Sequence, residues 1–394
     1  MSKKAVMACI HYWGSPYQVA THHIARRLAA AGWDVAYLSA PITPLHLLKL
    51  KDDKVSDRMR LCRKGPTSET IGAGRLTSYI PFSLLGPDNR APLNSAHVVD
   101  HWPAYSLGSI RRFLVREDFE QVDLAYFDNF YHTALLPLLD ARHRVYHMAD
   151  NYSAFPGYSA AFRSIEERLV QQVDTVFYPS RDMEGYVDSF RPRHKHFLPN
   201  GVDFEYFSRP GNPPPAEYAD IPAPRALYVG AIEQWFDFDL VEKTARAHPD
   251  ISLVLIGGDR LARERLPDLP NIHLLGSRPR EVLPAYLEHA QAGIIPFNVR
   301  DFPDLLHPVR PLKLLEYLSA GLPALSVAWR ELATMDSPAR LAHSADEFVD
   351  ALPAICAAAT DSEREAARNY ARQYDWDTLF EDFSRQLVLK ELAP

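Results

Sequence analysis

Cysteine is nearly absent. Cys9, Cys62 and Cys356 are the only three in 394 residues, too few and too scattered for a disulfide framework or a zinc site. Long apolar runs are absent too: stretches such as 5–10 and 253–256 stop far short of the roughly 20 residues that a membrane span needs. Met1-Ser2-Lys3-Lys4 leads straight into a strand-like run, which lacks the form of a secretory signal. There is no low-complexity tract, and with 47% hydrophobic and 24% charged residues the composition excludes disordered and collagen-like classes. Neither opening strand of the two α/β repeats is followed by Gly-x-Gly-x-x-Gly, which disfavours a nicotinamide-dependent dehydrogenase. A folded protein of a reducing cytoplasm is expected, long enough for two or three domains.

The formal net charge is −7, divided unevenly: residues 1–200 hold 24 Lys and Arg against 20 Asp and Glu, and the remainder 19 against 30. This leaves no extended basic footprint, so nucleic acid is not an expected partner. Within 42–64, apolar Ile42, Leu45, Leu47, Leu48 and Leu50 adjoin Lys49, Lys51, Lys54, Arg58, Arg60, Arg63 and Lys64, opposed only by Asp52, Asp53 and Asp57. Such a stretch is either a solvated loop or a membrane-surface contact on the inner leaflet.

Strand and helix signals alternate along most of the chain, the pattern of an α/β fold with parallel sheets. The first set opens with a strand over 4–10, a helix over about 18–31 ended by Gly32, and a strand over 34–39. Between Ile42 and Pro103 the pattern is broken by Pro81, Pro87 and Pro92 and reads as loops and short helices. Strands are expected again at 124–127, 144–147 and 175–178. Arg209-Pro-Gly-Asn-Pro-Pro-Pro-Ala-Glu217 reads as a stiff linker, because consecutive prolines end helices and sheets alike. The expected domains are 1–208 and 209–377, with a terminal helix at about 378–394 returning to the first. Ligands in such folds bind at the carboxyl ends of the strands.

The strongest local signal is Arg310-Pro-Leu-Lys-Leu-Leu-Glu-Tyr-Leu-Ser-Ala-Gly-Leu-Pro-Ala-Leu-Ser326. Pro311 suits a helix start, whose unpaired N–H groups together with the Lys313 charge form a cradle for a diphosphate. Glu316, three residues on, shares nearly the same helix face and suits a sugar or ribose hydroxyl. The simpler reading is a first-turn cation compensated by an intrahelical glutamate. In this place the sequence resembles the GT-B glycosyltransferases, and the resemblance extends to Pro199-Asn-Gly-Val-Asp203, Leu227-Tyr-Val-Gly-Ala-Ile232, Asn271-Ile-His-Leu-Leu-Gly-Ser277 and Gly293-Ile-Ile-Pro-Phe297. It implies two Rossmann-like domains facing across a cleft and a sugar-nucleotide donor, UDP-linked, as substrate rather than cofactor. Many retaining members have a second glutamate eight positions before the one matching Glu316; here Pro308 stands there. Tyr146-His-Met-Ala-Asp150 is more similar to the inverting glucuronosyltransferases of xanthan-type exopolysaccharide synthesis, which implies Asp150 as the base.

The same resemblance implies donor contacts at Gly230, Ile232, Ser277, Arg278, Phe297, Arg310, Lys313 and Glu316, and acceptor contacts on the loop holding His11, Trp13 and Tyr17. Asp150 also fits a helix N-cap, Arg310 also fits solvent, and the aromatic loop residues also fit simple packing. Asp237-Phe-Asp239 resembles a metal-binding Asp-x-Asp but sits where acidic residues favour a helix start, and no metal is expected. The function expected is transfer of a sugar, UDP-glucuronate being one candidate donor, to a saccharide or lipid-linked acceptor in exopolysaccharide or cell-surface glycan synthesis. An epimerase or hydrolase on the same scaffold, and a silent partner in polysaccharide assembly, stay open.

Overall fold

A computed structural model describes residues 2–15, 18–47, 53–155, 158–357 and 360–387. The chain divides into two compact units, Met1–Leu198 joined by the chain from Phe380, and Pro199–Leu379.

The strands of the first unit are β1 (Lys4–Cys9), β2 (Asp34–Ser39), β3 (Thr67–Ile71), β4 (Gly74–Tyr79), β5 (Phe82–Ser83), β6 (Ser106–Leu107), β7 (Gln121–Phe127), β8 (Asp140–His147), β9 (Thr175–Tyr178) and β10 (Lys195–Phe197). Eight of them form one sheet in the order β10-β9-β8-β7-β1-β2-β4-β3, while β5 and β6 make a separate ribbon. All neighbours in the large sheet are parallel except the β3–β4 hairpin. Central strands such as Ala5–Cys9 are buried on both faces, which is why they read as unbroken apolar runs rather than alternating ones. The helix Ala20–Ala30 packs Ile24 and Leu28 inward, and Gly32 follows it at φ +91°, a conformation glycine adopts at little cost. The β3–β4 hairpin corrects the expectation of loops and short helices between 42 and 103, where the helix Asp53–Lys64 is also found. From the terminal segment, Phe383 rests on Phe177 and Tyr126, with ring centroids 5.0 and 6.1 Å away.

The second unit holds β11 (Arg225–Val229), β12 (Ser252–Ile256), β13 (Ile272–Gly276), β14 (Ala292–Ile295), β15 (Ala324–Val327) and β16 (Arg340–Ala342), in the order β13-β12-β11-β14-β15-β16 and all parallel. The proline run lies inside this unit. The N–H groups of Gly211 and Asn212 donate to the Glu288 carboxylate at 2.9 Å, so the boundary falls about ten residues before the expected linker.

Helix Leu312–Ser319 is fixed to this sheet by two contacts. The Tyr317 ring lies over Gly293 so closely that a Cβ there would come within 2.3 Å of it, and the Tyr317 hydroxyl accepts the Val229 N–H at 2.9 Å. Just before the helix, buried Arg310 donates to buried Glu331 at 2.9 Å. A buried ion pair holds geometry more than it adds stability, but stranding one partner is costly. Two outcomes are expected in urea unfolding. Gly293→Ala lowers stability by about 1–3 kcal/mol through overpacking, and Glu331→Ala lowers it by about 3–5 kcal/mol by removing the buried carboxylate that pairs with the guanidinium. Wild-type midpoints in both variants would contradict this account of how the helix is held.

Candidate active site

In the second unit the loops after β11, β12, β13 and β14 and the start of helix Leu312–Ser319 converge at the carboxyl end of the sheet. Lys313 is at their centre. Its ammonium lies 4.4 Å from the Phe297 ring centroid and 4.7 Å from that of Tyr228. It donates to the Tyr228 hydroxyl at 3.2 Å, and that hydroxyl donates onward to the Ala231 carbonyl at 2.6 Å. Among the described residues Lys313 has no ion pair, and burial depresses its pKa to about 7, with Glu316 the only charge opposing the shift. The aromatic faces attract the cation but cannot replace a counter-ion. Gly230 allows this approach: at φ +150°, a Cβ on it would lie 2.8 Å from the lysine Cε.

Glu316 is half-buried. Burial raises its pKa, against the lowering effects of Arg280 and Lys313. Arg280, which the sequence reading did not single out, bonds to Asp203 at 2.5 Å and lies over the Tyr206 ring. Ile232 and Phe297 are buried, and Phe297 stacks on Trp329 at 5.7 Å. The structure thus brings together Gly230, Ile232, Phe297, Lys313 and Glu316. Ser277 is exposed after β13, and the Arg278 guanidinium bonds to Glu217 at 2.8 Å and to the Tyr286 hydroxyl at 3.2 Å. Arg310, expected at phosphate or in solvent, is buried against Glu331. Asp237 caps the helix Phe238–Ala247 by accepting the Leu240 N–H at 2.9 Å.

In the first unit two aspartates follow the ends of neighbouring strands. Asp150, after β8, retains solvent access, yet the protein packed around it raises its pKa to about 6. Its carboxylate has no hydrogen-bond partner among the described residues, and the adjoining turn, Tyr152–Ala154, has Asn151 rather than Asp150 in the capping position. Asp128, after β7, is the opposite case. It is buried, and its carboxylate accepts the Ile10 N–H at 3.1 Å and the Thr21 hydroxyl at 3.0 Å. Its main-chain carbonyl accepts the Tyr152 hydroxyl at 3.1 Å. Burial also pushes Asp128 up to about 6, but every one of these bonds is structural. Asp128 joins the loop after β1 to the segment holding Asp150.

His11 and Trp13 lie on that loop, half-buried; Tyr17 lies outside the described residues. The Trp13 ring is already engaged, stacked on His22 at 5.8 Å, 5.2 Å from Tyr37 and beneath the Arg26 guanidinium at 5.3 Å. Its indole N–H donates to Glu69. Burial lowers the His22 pKa to about 4, so this packing is with a neutral imidazole. Sequence reasoning missed Asp128 and Arg280. Both follow from strand order and from contacts distant in sequence.

Comparison with known proteins bears on the fold and on each unit separately. Residues 7–179 match the profile of the N-terminal domain of the glucuronosyltransferase GumK, and residues 223–357 match glycosyl transferases group 1. A relative from Bacillus subtilis (strain 168), named for teichuronic acid biosynthesis as the glycosyltransferase TuaH, is 27% identical over 244 residues, 59% of this chain and 61% of its own length. The chain thus spans less than two thirds of that relative. Among solved structures, sucrose-phosphate synthase from Thermosynechococcus elongatus superposes with a TM-score of 0.69 at 14% identity, covering 100% of both chains. A trehalose-6-phosphate protein from E. coli, bound with UDP-2-fluoro glucose, gives 0.68 at 12% identity, covering 98% of this chain and 99% of its own. Two parallel-sheet units give the chain the GT-B fold, the first similar over residues 7–179 to the N-terminal domain of the glucuronosyltransferase GumK and the second over residues 223–357 to glycosyl transferases group 1.

Proposed function

We propose that this chain moves a sugar from a UDP-linked donor, UDP-glucuronate being the first to test, to a saccharide or lipid-linked saccharide acceptor in cell-surface glycan synthesis. The proposed outcome is inversion at the anomeric carbon. The observation supporting it most directly is Lys313: an ammonium lacking an ion pair among the described residues, set in the first turn of a helix, is suited to a diphosphate. Asp150 supports the other half, since a raised pKa and an unengaged carboxylate suit a general base.

In this reading the acceptor hydroxyl attacks the anomeric carbon while Asp150 takes its proton. The bond from that carbon to the β-phosphate oxygen breaks, and its electron pair leaves with UDP. Lys313 and the helix N-terminus stabilise the charge developing on the leaving group, a role this reading assigns to them rather than to a metal. Glu316 would orient donor hydroxyls. A lipid-linked acceptor would place the enzyme on the inner face of the membrane.

Three results are expected. Asp150→Asn lowers acceptor-dependent UDP release by about 10²–10⁴-fold, the usual worth of a general base, and leaves UDP affinity by titration calorimetry unchanged. Lys313→Ala weakens UDP binding by at least about tenfold, the scale of a charge-assisted phosphate contact. The pH profile of kcat/KM is a narrow bell. Activity rises as Asp150 ionises through about 6 and falls as Lys313 loses its proton through about 7. Full turnover by Asp150→Asn would remove Asp150 from the role. UDP release at the same rate without acceptor would favour a hydrolase, and UDP binding without turnover would favour a silent partner.

A further inference from the structure

The loop that carries Asp150 is hydrogen-bonded to the rest of the first unit through tyrosine hydroxyls. At its start the Met148 N–H still donates to the Phe177 carbonyl of β9 at 2.8 Å. Beyond that point, among the described residues, no main-chain hydrogen bond between 149 and 158 leaves the segment: the N–H groups of Ala154, Phe155 and Tyr158 donate to the carbonyls of Asn151, Tyr152 and Phe155. A segment bonded only to itself opens locally at little cost. Two phenols supply what the main chain does not. Tyr152 donates to the Asp128 carbonyl at 3.1 Å, and Tyr158 donates to Glu166 at 2.8 Å.

Glu166 lies on helix Ala160–Gln172, is fully buried, and has no ion pair among the described residues. Its Oε1 accepts the Tyr146 hydroxyl at 2.8 Å, and its Oε2 accepts those of Tyr158 and Tyr186 at 2.8 and 2.7 Å. Three hydroxyl donors suit an ionised carboxylate, which can only accept. Burial raises the Glu166 pKa, and the hydroxyls of Tyr186, Tyr146 and Tyr158 lower it. A buried charge stripped of its hydrogen bonds is costly, so the carboxylate and the phenols hold one another in place. The three tyrosines come from different elements. Tyr146 is in β8, four residues before Asp150, and Tyr158 is eight residues after it, whereas Tyr186 belongs to helix Glu184–Asp188 and has no part in the loop.

We propose that Glu166 is the positioning residue for Asp150: through Tyr146 and Tyr158 it fixes both ends of the loop that presents the base, while Asp150 itself stays outside the cluster. Ring packing alone does not do this. Phe130 lies 5.4 Å from Tyr152 and 6.1 Å from Tyr158 between ring centroids, contacts that fill space but set no direction, whereas a hydroxyl bonded to a buried carboxylate is held at one point. That precision matters because a general base must come within hydrogen-bond reach of the acceptor hydroxyl, and a misplacement of about 1 Å can cost about 10²-fold in rate. The inference rests on the transfer reading for what Asp150 does, but not for how its loop is held.

The test sets Tyr158→Phe, Tyr186→Phe and Glu166→Gln beside Asp150→Asn, in the full chain. Tyr158→Phe keeps the ring and deletes only the bond from the loop. It should lower kcat for acceptor-dependent UDP release by at least about tenfold, leave donor KM and UDP affinity unchanged, and speed hydrogen exchange, read by mass spectrometry, in peptides spanning 149–158. Glu166→Gln, which leaves one acceptor oxygen for three hydroxyls, should do the same. Tyr186→Phe is the control for stability: it removes an equally short bond from the same carboxylate oxygen but none from the loop, and should keep wild-type kcat and loop exchange. Equal losses of kcat in Tyr158→Phe and Tyr186→Phe would reduce Glu166 to a general structural role and overturn the proposal. So would wild-type kcat or wild-type loop exchange in Tyr158→Phe while Asp150→Asn is inactive. Full turnover by Asp150→Asn is the separate failure of the transfer reading, and takes the positioning role with it.

Discussion

A half-buried cation with no ion pair among the described residues is the constraint around which the second unit is organised. The Lys313 ammonium rests between Tyr228 and Phe297 and donates to a tyrosine hydroxyl, and desolvation depresses its pKa to about 7. Maintaining that position requires the close packing of Tyr317 on Gly293, the Val229 N–H bonded to the same tyrosine, and the absence of a side chain at Gly230. An anion arriving beside Lys313 would meet charge the fold leaves unneutralised. Uptake of a proton and binding of the anion would therefore be coupled.

The first unit solves a different problem with similar chemistry. Asp128 and Asp150 follow adjacent parallel strands; burial pushes Asp128 up to about 6, and the protein packed around solvent-accessible Asp150 does the same. What separates them is engagement. Asp128 accepts an amide and a hydroxyl from two elements and, through its carbonyl, anchors Tyr152. Asp150 is left without a partner among the described residues but tethered nearby through that tyrosine.

Much of this was legible in the sequence where local chemistry decides. Unbroken apolar runs gave the central parallel strands, and Pro311 with Lys313 marked the helix start. Legibility ended where distant partners decide. Thr67–Ile71 is polar and lies at a sheet edge, so it has no apolar periodicity to announce a strand. The Arg310 guanidinium finds Glu331, a partner 21 residues away, so its position beside a phosphate motif said little about its role. From sequence Trp13 fits either sugar stacking or packing, and only the fold shows its ring packed against residues of the helix and strand that follow it.

The central claim is that Lys313 is a protonatable diphosphate anchor. It is tested most directly by following the Lys313 side-chain signal through a pH titration by NMR, in the free protein and with UDP bound. The account predicts a free pKa near the value of about 7, rising by more than about two units with UDP as the diphosphate stabilises the ammonium. A free pKa at the ordinary lysine value of 10.5, unmoved by saturating UDP, would contradict it.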